Sequence, residues 1–357
     1  MAKARFIAVS DLHLGYDLSS LNSTTKHEAF ADFIAGLCDG ETDRLILNGD
    51  CFEGCVPLRV GDHDTFGFPT ALSQISRSFF KALTAKVRIE SLVWIPGNHD
   101  YTLWQRIAAA CRVQPFTNDK PGNVLLQTNG SILPGSEAFL LDLLGIASSH
   151  IHRIRVAYPN YVLGRYYPYL VFHHGHLIDD LLLGKHPSST YALLAVSCGA
   201  PHPQVDTEND ESISSIHHKT EAFIESLWTF NSKTRAAEWA FLRRGSTAAS
   251  CPYFGKTVQG EPLGSDFAKY ARWYASVLLA DPSTPAPLGP RGNPCYLVIG
   301  HDHAGGSLNI ENLYDGCAFR VLNLGGWTRE GGATDIHQHA LVWNYDAELP
   351  RTVCFAG

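Results

Sequence analysis

The chain has 357 residues, 45% of them hydrophobic and 18% charged, with 28 Lys and Arg set against 35 Asp and Glu for a formal charge of −7. This size holds two average domains or one large α/β core with an insertion, and the balance excludes disordered and fibrous classes and offers no basic field for duplex nucleic acid. No stretch approaches the roughly 20 apolar residues of a membrane span. Nine cysteines without CxxC spacing and an opening MAKARFIAVSDLHLG without a signal core make a reducing cytoplasm the expected location.

Along the chain, apolar runs break repeatedly into polar clusters. RFIAVS, Arg5 to Ser10, predicts a strand that ends in Asp11, Leu12 and His13, and Phe30, Phe33, Ile34 and Leu37 then fall on one helical face. RLILN ends in Gly49 and Asp50, a helical pattern follows from Leu72 to Val87, and SLVWIP runs into Gly97, Asn98, His99 and Asp100. Strand, polar cluster, helix, strand is the rhythm of an α/β unit, whose ligands gather beyond the carboxyl ends of the strands. A helix is expected at YTLWQRIAAACR, and strands at RIRVAY and YYPYLVF, the latter delivering His173, His174 and His176. From Leu177 to about Pro294 the pattern turns helical and closes on the Pro-rich DPSTPAPLGPRGNP. Strands resume with CYLVIG, FRVLNL and HALVWNY. The expected organisation is one core, residues 1–176 and 295–357, interrupted by a helical insertion over 177–294.

The polar strand ends supply Asp11, His13, Asp50, Asn98, His99, one of the His173 to His176 group, and His301 and His303 of GHDH. They are oxygen and imidazole donors with no thiolate, a set that suits hard or borderline divalent ions. A carboxylate bridging two such ions clamps a phosphoryl group for in-line attack, and Asp50, alone after its strand, is the natural bridge. Each fragment alone could be a turn or a helix cap. Alternation along YYPYLVF sends His173 and His174 to opposite faces, so at most one of them reaches such a site.

The series Asp11-x-His13, Gly49-Asp50, Gly97-Asn98-His99-Asp100, His174-Gly175-His176 and Gly300-His301-x-His303 resembles the signature of the calcineurin-like metallophosphoesterases. The resemblance implies an α/β fold, a four-layer α/β/β/α sandwich with a helical cap insertion. It implies one metal held by Asp11, His13, Asp50 and His303, and a second held by Asp50, Asn98, His174 and His301. The ions would be manganese, iron or zinc, with manganese favoured. A metal-bridging hydroxide would attack a phosphate mono- or diester while His99 acts on the leaving-group side. An imidazolium beside a carboxylate can protonate an alkoxide at neutral pH, and Asp100 is the expected orienting group.

GDCFEG followed by GDHD, and FRVLNLGGW, are similar to stretches of the branch that holds the UDP-2,3-diacylglucosamine pyrophosphatases. That branch commonly has Arg where His99 stands and Asp where His176 stands, and its insertion is shorter. A pyrophosphatase of a UDP-linked acyl-sugar is therefore the alternative activity, and a non-catalytic scaffold the alternative class. The expected partner is a small phosphate-bearing substrate, touched by His176, His63 and Arg59; Arg106, Arg165 and Lys185 are further cations suited to a phosphate. Ile213, Ile216, Phe223, Ile224 and Leu227 form a helical stripe in the insertion, read as packing or as a ligand groove. His150 and His152, like His337 and His339, share a strand face without a carboxylate partner and are read as surface or packing residues.

Overall fold

In the computed structural model, the described residues are 5–15, 19–53, 70–100, 103–104, 151–158, 160–163, 170–175, 295–301, 306–314, 317–327, 338–344 and 349–355. The insertion 177–294 lies outside them, as do His63, Arg59, Arg106, Arg165, Lys185, His150, His176, His303 and His337.

The first sheet begins with strand β1 (Phe6–Val9), which passes through helix α1 (Thr24–Cys38) to β2 (Glu41–Asn48), and then through α2 (Thr70–Lys86) to β3 (Arg88–Ile95). Helix α1 starts where the Ser23 side chain accepts from the Lys26 N–H, and it stops at Asp39 in the left-handed region. The chain continues into β4 (Ile151–Val156), β5 (Asn160–Leu163) and β6 (Leu170–His173), then β7 (Cys295–Ile299), β8 (Gly306–Tyr314), β9 (Cys317–Asn323), β10 (His339–Trp343) and β11 (Arg351–Cys354). Two sheets result: six strands in the order β11-β10-β1-β2-β3-β4, and five in the order β5-β6-β7-β9-β8.

Strand alternation decides what each face buries. In β1, Ile7 and Val9 pack with Phe30, Ile34, Phe79 and Phe80 of the two helices, beside Leu45, Leu47 and Trp94 of the neighbouring strands. Phe6 and Ala8 point the other way, with Ile46, Val93 and Ile95, onto Tyr161, Leu170, Phe172, Tyr296 and Val298 of the second sheet. Helices, sheet and sheet therefore stack as three layers of an α/β sandwich within the described residues. Two polar side chains tie the sheets: Arg44 donates to the Tyr161 hydroxyl, and Asn48 Nδ2 donates to the carbonyls of His173 and Val298, both at 3.3 Å.

Strands β1, β2 and β3 run parallel, as do β6 and β7. Their carboxyl ends therefore open on common edges, where the polar clusters of the sequence emerge. Strands β5, β8 and β11 were not among the expected elements. Among the described residues no helix is long and apolar enough to cross a membrane.

Candidate metal centre

The loops after β1 and β2 run side by side. Asp11 N–H donates to Gly49 O at 3.0 Å, His13 N–H to Asp50 O at 2.9 Å, Leu14 N–H to Cys51 O at 2.9 Å, and Glu53 N–H returns to Leu14 O at 2.9 Å. Across the sandwich, Gly300 N–H donates to His174 O at 2.8 Å, and His301 N–H meets both carboxylate oxygens of Asp11 at 3.0 Å. Asp11, His13, Asp50, Asn98, His99 and His174 are all buried, and His301 is partly so.

Three glycines of the motifs are there because functional side chains occupy the space of a Cβ. At Gly49, with φ +87°, a Cβ would clash with the Nδ1 and Cγ edge of His174; at Gly97 it would clash with Asp50 Oδ1, and at Gly300 with Ser10 Oγ and Asp11 Oδ2. Strain marks the same place. Asp11, His13, Asp50 and His301 all have positive φ, from 44° to 65°, and the only other described non-glycine residue of this kind is the helix cap Asp39. Such backbone persists where its surroundings over-determine it, and it clusters at functional sites.

Hydrogen bonds choose which ring nitrogen faces inward. His174 Nδ1 lies 3.1 Å from the Asn48 carbonyl, which can only accept, so Nε2 is the ring nitrogen turned toward Asn98 Oδ1 at 3.2 Å and Asp50 Oδ2 at 3.1 Å. His13 Nδ1 donates to Glu53 Oε2 at 3.0 Å, which leaves its Nε2 4.0 Å from both Asp11 Oδ1 and Asp50 Oδ2. Outer partners of this kind fix the tautomer of metal-binding histidines. Donor atoms of Asp11, His13 and Asp50 converge within 4.8 Å of one another, as do those of Asp50, His174 and His301. Buried carboxylates grouped with imidazole nitrogens fit divalent cations, which would neutralise charge that burial otherwise penalises. Asp50 belongs to both groups.

The electrostatics reflect this crowding. Burial alone would raise the Asp50 pKa, but the imidazoles of His174, His99 and His13 outweigh it and hold the carboxyl well below its ordinary range. Burial lowers His174, yet the Asp50 and Asp11 carboxylates lift it to about 9 in the metal-free chain.

His99 sits in the turn after β3, and its backbone N–H donates to Asp50 Oδ1 at 2.8 Å. Its ring does not meet Asp100. Nδ1 donates instead to Glu53, 3.0 Å from both oxygens, while the His13 ring stands edge-on at 4.9 Å. Glu53 thus receives two histidines. Burial would raise its pKa, but His99 and His13 bring it down to about 2. Sequence reading passed over this residue; its signal was a carboxylate three positions after Asp50 in the quoted GDCFEG. The local parallel bridge between Leu14 and Phe52 is what carries it back to the loop after β1.

Asp100, the expected orienting group of His99, turns its carboxylate onto the N–H groups of Cys51, Phe52 and Gly97 and onto Trp94 Nε1. Burial and the Asp50 charge push it up to about 7, with the Gly97 and Phe52 N–H bonds pulling the other way. His173, next to the inward His174, is fully buried and accepts the Gly175 N–H at Nδ1, 2.9 Å away. The neighbouring histidines therefore part as strand alternation predicts. His339, on β10, is half-buried.

A family model described as calcineurin-like phosphoesterase matches residues 4–221, more than half of the chain. The match spans Asp11, His13, Asp50, Asn98, His99 and His174 and ends before His301. No curated protein matches the sequence.

Proposed function

The chain belongs to the calcineurin-like phosphoesterase family, and on that premise we propose that it hydrolyses phosphate mono- or diesters with two divalent ions that share Asp50. The observation that carries this reading is the meeting of Asp11, His13, Asp50, Asn98, His174 and His301 at parallel strand ends, with Asp50 common to two donor groups. Asp11, His13, Asp50 and His303 would hold one ion, and Asp50, Asn98, His174 and His301 the second. Bound there, the ions supply positive charge for the phosphoryl oxygens and a water ionised near neutral pH.

The remaining work belongs to the chain. Asn98 contributes a neutral amide oxygen, which keeps the centre more positive than a carboxylate would and favours an anionic substrate. His99 has its Nδ1–H held by Glu53, so Nε2 is the ring nitrogen that would carry a proton to the departing oxygen. It is also the most exposed of the buried polar residues here, at 8%, which gives substrate an approach to that edge. We assign residues 1–176 and 295–357 to the catalytic core and 177–294 to an insertion that selects the leaving group. The direct parallel pairing of β6 with β7 across that interval supports the division. A pyrophosphate linkage in a UDP-linked acyl-sugar would use the same centre with a different leaving group.

The test is hydrolysis of p-nitrophenyl phosphate, bis-p-nitrophenyl phosphate and UDP-linked diacylglucosamine by metal-stripped protein, before and after Mn2+ is restored. Mn2+-dependent turnover of either nitrophenyl ester is expected, and turnover of the UDP-sugar alone would select the pyrophosphatase. Silence on all three from a chain that binds no divalent ion would replace the enzyme with a scaffold.

A further inference from the structure

Asp50 has φ 47° and follows Gly49 at φ 87°. The turn these residues make points the N–H groups of Cys51 and Phe52 at a single acceptor, a concave backbone arrangement of the kind that binds anions. The anion that fills this one comes from the chain itself. Asp100 Oδ1 receives the Phe52 N–H at 2.7 Å, and Oδ2 receives the N–H groups of Cys51 at 3.3 Å and Gly97 at 3.0 Å and Trp94 Nε1 at 3.2 Å. Asp100 is itself anchored, since its carbonyl accepts from Leu103 and Trp104, both at 2.9 Å. In return, Asp50 Oδ1 receives the His99 N–H at 2.8 Å. The strand ends of β2 and β3 are thus cross-linked in both directions by carboxylates.

We propose that Asp100 is a positioning residue for the metal centre: by capping the N–H groups that follow Asp50, it holds the shared ligand in its left-handed conformation and docks that loop against Asn98 and His99. This rests on the reading of Asp50 as the ligand common to both ions. Asp100 touches neither ion nor substrate. Its effect is on how well the ligands are preformed, and so on how tightly ions bind.

The full chain, stripped of metal and titrated with Mn2+ by calorimetry, tests it. Asp100→Asn leaves an amide group facing backbone donors, and it should weaken Mn2+ binding by about 10- to 100-fold, the range for outer partners of metal ligands. Turnover of p-nitrophenyl phosphate should return to within about threefold of wild type at saturating Mn2+, with the pH profile unmoved. Phe79→Leu, in the helix-side core, should lower the melting temperature without moving Mn2+ affinity. Trp94→Phe removes one donor to the same carboxylate and should shift affinity in the same direction by a smaller factor; it decides the matter if Asp100→Asn does not fold. Unchanged Mn2+ affinity in the deciding variant overturns the proposal, as does lost turnover that saturating Mn2+ does not restore, which would return Asp100 to a role through His99. A wild-type chain that binds no Mn2+ overturns the two-ion reading and this proposal with it, whereas wild-type binding matched by the variant overturns this proposal alone.

Discussion

Replacing Glu53 by Gln keeps the shape of the side chain and removes the charge that two imidazoles share. The carboxylate accepts from His13 Nδ1 and His99 Nδ1, each at 3.0 Å. An amide has one acceptor oxygen, so even where that oxygen stands at the Oε2 position and meets both rings, an NH2 group faces the His99 ring N–H in place of Oε1. The depression of the Glu53 pKa from 4.5 to about 2 corresponds to about 3 kcal/mol favouring the ionised form. That contribution is present above pH 4.5 and disappears as pH falls through about 2. At pH 7, Glu53→Gln should therefore lower unfolding stability by about 2–3 kcal/mol, read from urea midpoints. In catalysis at saturating Mn2+, the loss should depend on the leaving group. An alkyl phosphate, whose alkoxide needs a proton, should lose about 100-fold in kcat. p-Nitrophenyl phosphate, whose leaving group departs as a stable anion, should lose less than about tenfold. Equal losses on both esters, or no loss on either, would refute the assignment of His99 as a proton donor held by Glu53.

The charged state of His174 sets a second expectation. With its pKa at about 9 in the metal-free chain, an ion bound at its Nε2 must displace a proton, so Mn2+ binding at pH 7 should release one proton there and affinity should fall up to about tenfold per pH unit below 9. Calorimetry in buffers of different ionisation enthalpy reads the proton directly, and its absence would contradict the placement. Without metal the sign reverses: the His174 cation stabilises the fold fully below pH 6.5, and this stabilisation is lost as pH rises through about 9. Gly300→Ala puts a Cβ against Ser10 Oγ and Asp11 Oδ2; it should cost about 1–3 kcal/mol of stability and reduce bound Mn2+ per chain, measured by elemental analysis.

The sandwich and the strand ends were legible because parallel buried strands announce themselves as apolar runs, and RFIAVS, RLILN and SLVWIP end within one residue of where the strands end. The separation of His173 from His174 followed from the period of two. Strands β5, β8 and β11 were not legible. NYVL is brief, GSLNIENLY mixes polar residues through its length, and RTVC is a sheet edge with mostly exposed side chains; none has the apolar run that a buried strand requires. At the centre, the inward-facing donors could be picked out because each ends a strand. Glu53 could not, since its partners His13 and His99 lie 40 and 46 residues away and are reached only through the pairing of two loops. Asp100 misled for a related reason: adjacency in sequence suggested His99, while the backbone turn at Asp50 offered it better donors.

The left-handed backbone of Asp11, His13, Asp50 and His301 sets reactivity against robustness. At roughly 1–2 kcal/mol for each L-residue held in that region, these four positions withhold on the order of 4–8 kcal/mol from a fold of ordinary marginal stability. Glycine at any of them would relieve the strain and remove a donor. A directed-evolution screen that rewards heat resistance of the metal-free chain should therefore accumulate glycine at these positions and converge on thermostable, inactive protein, whereas the same screen run with Mn2+ present should leave them untouched.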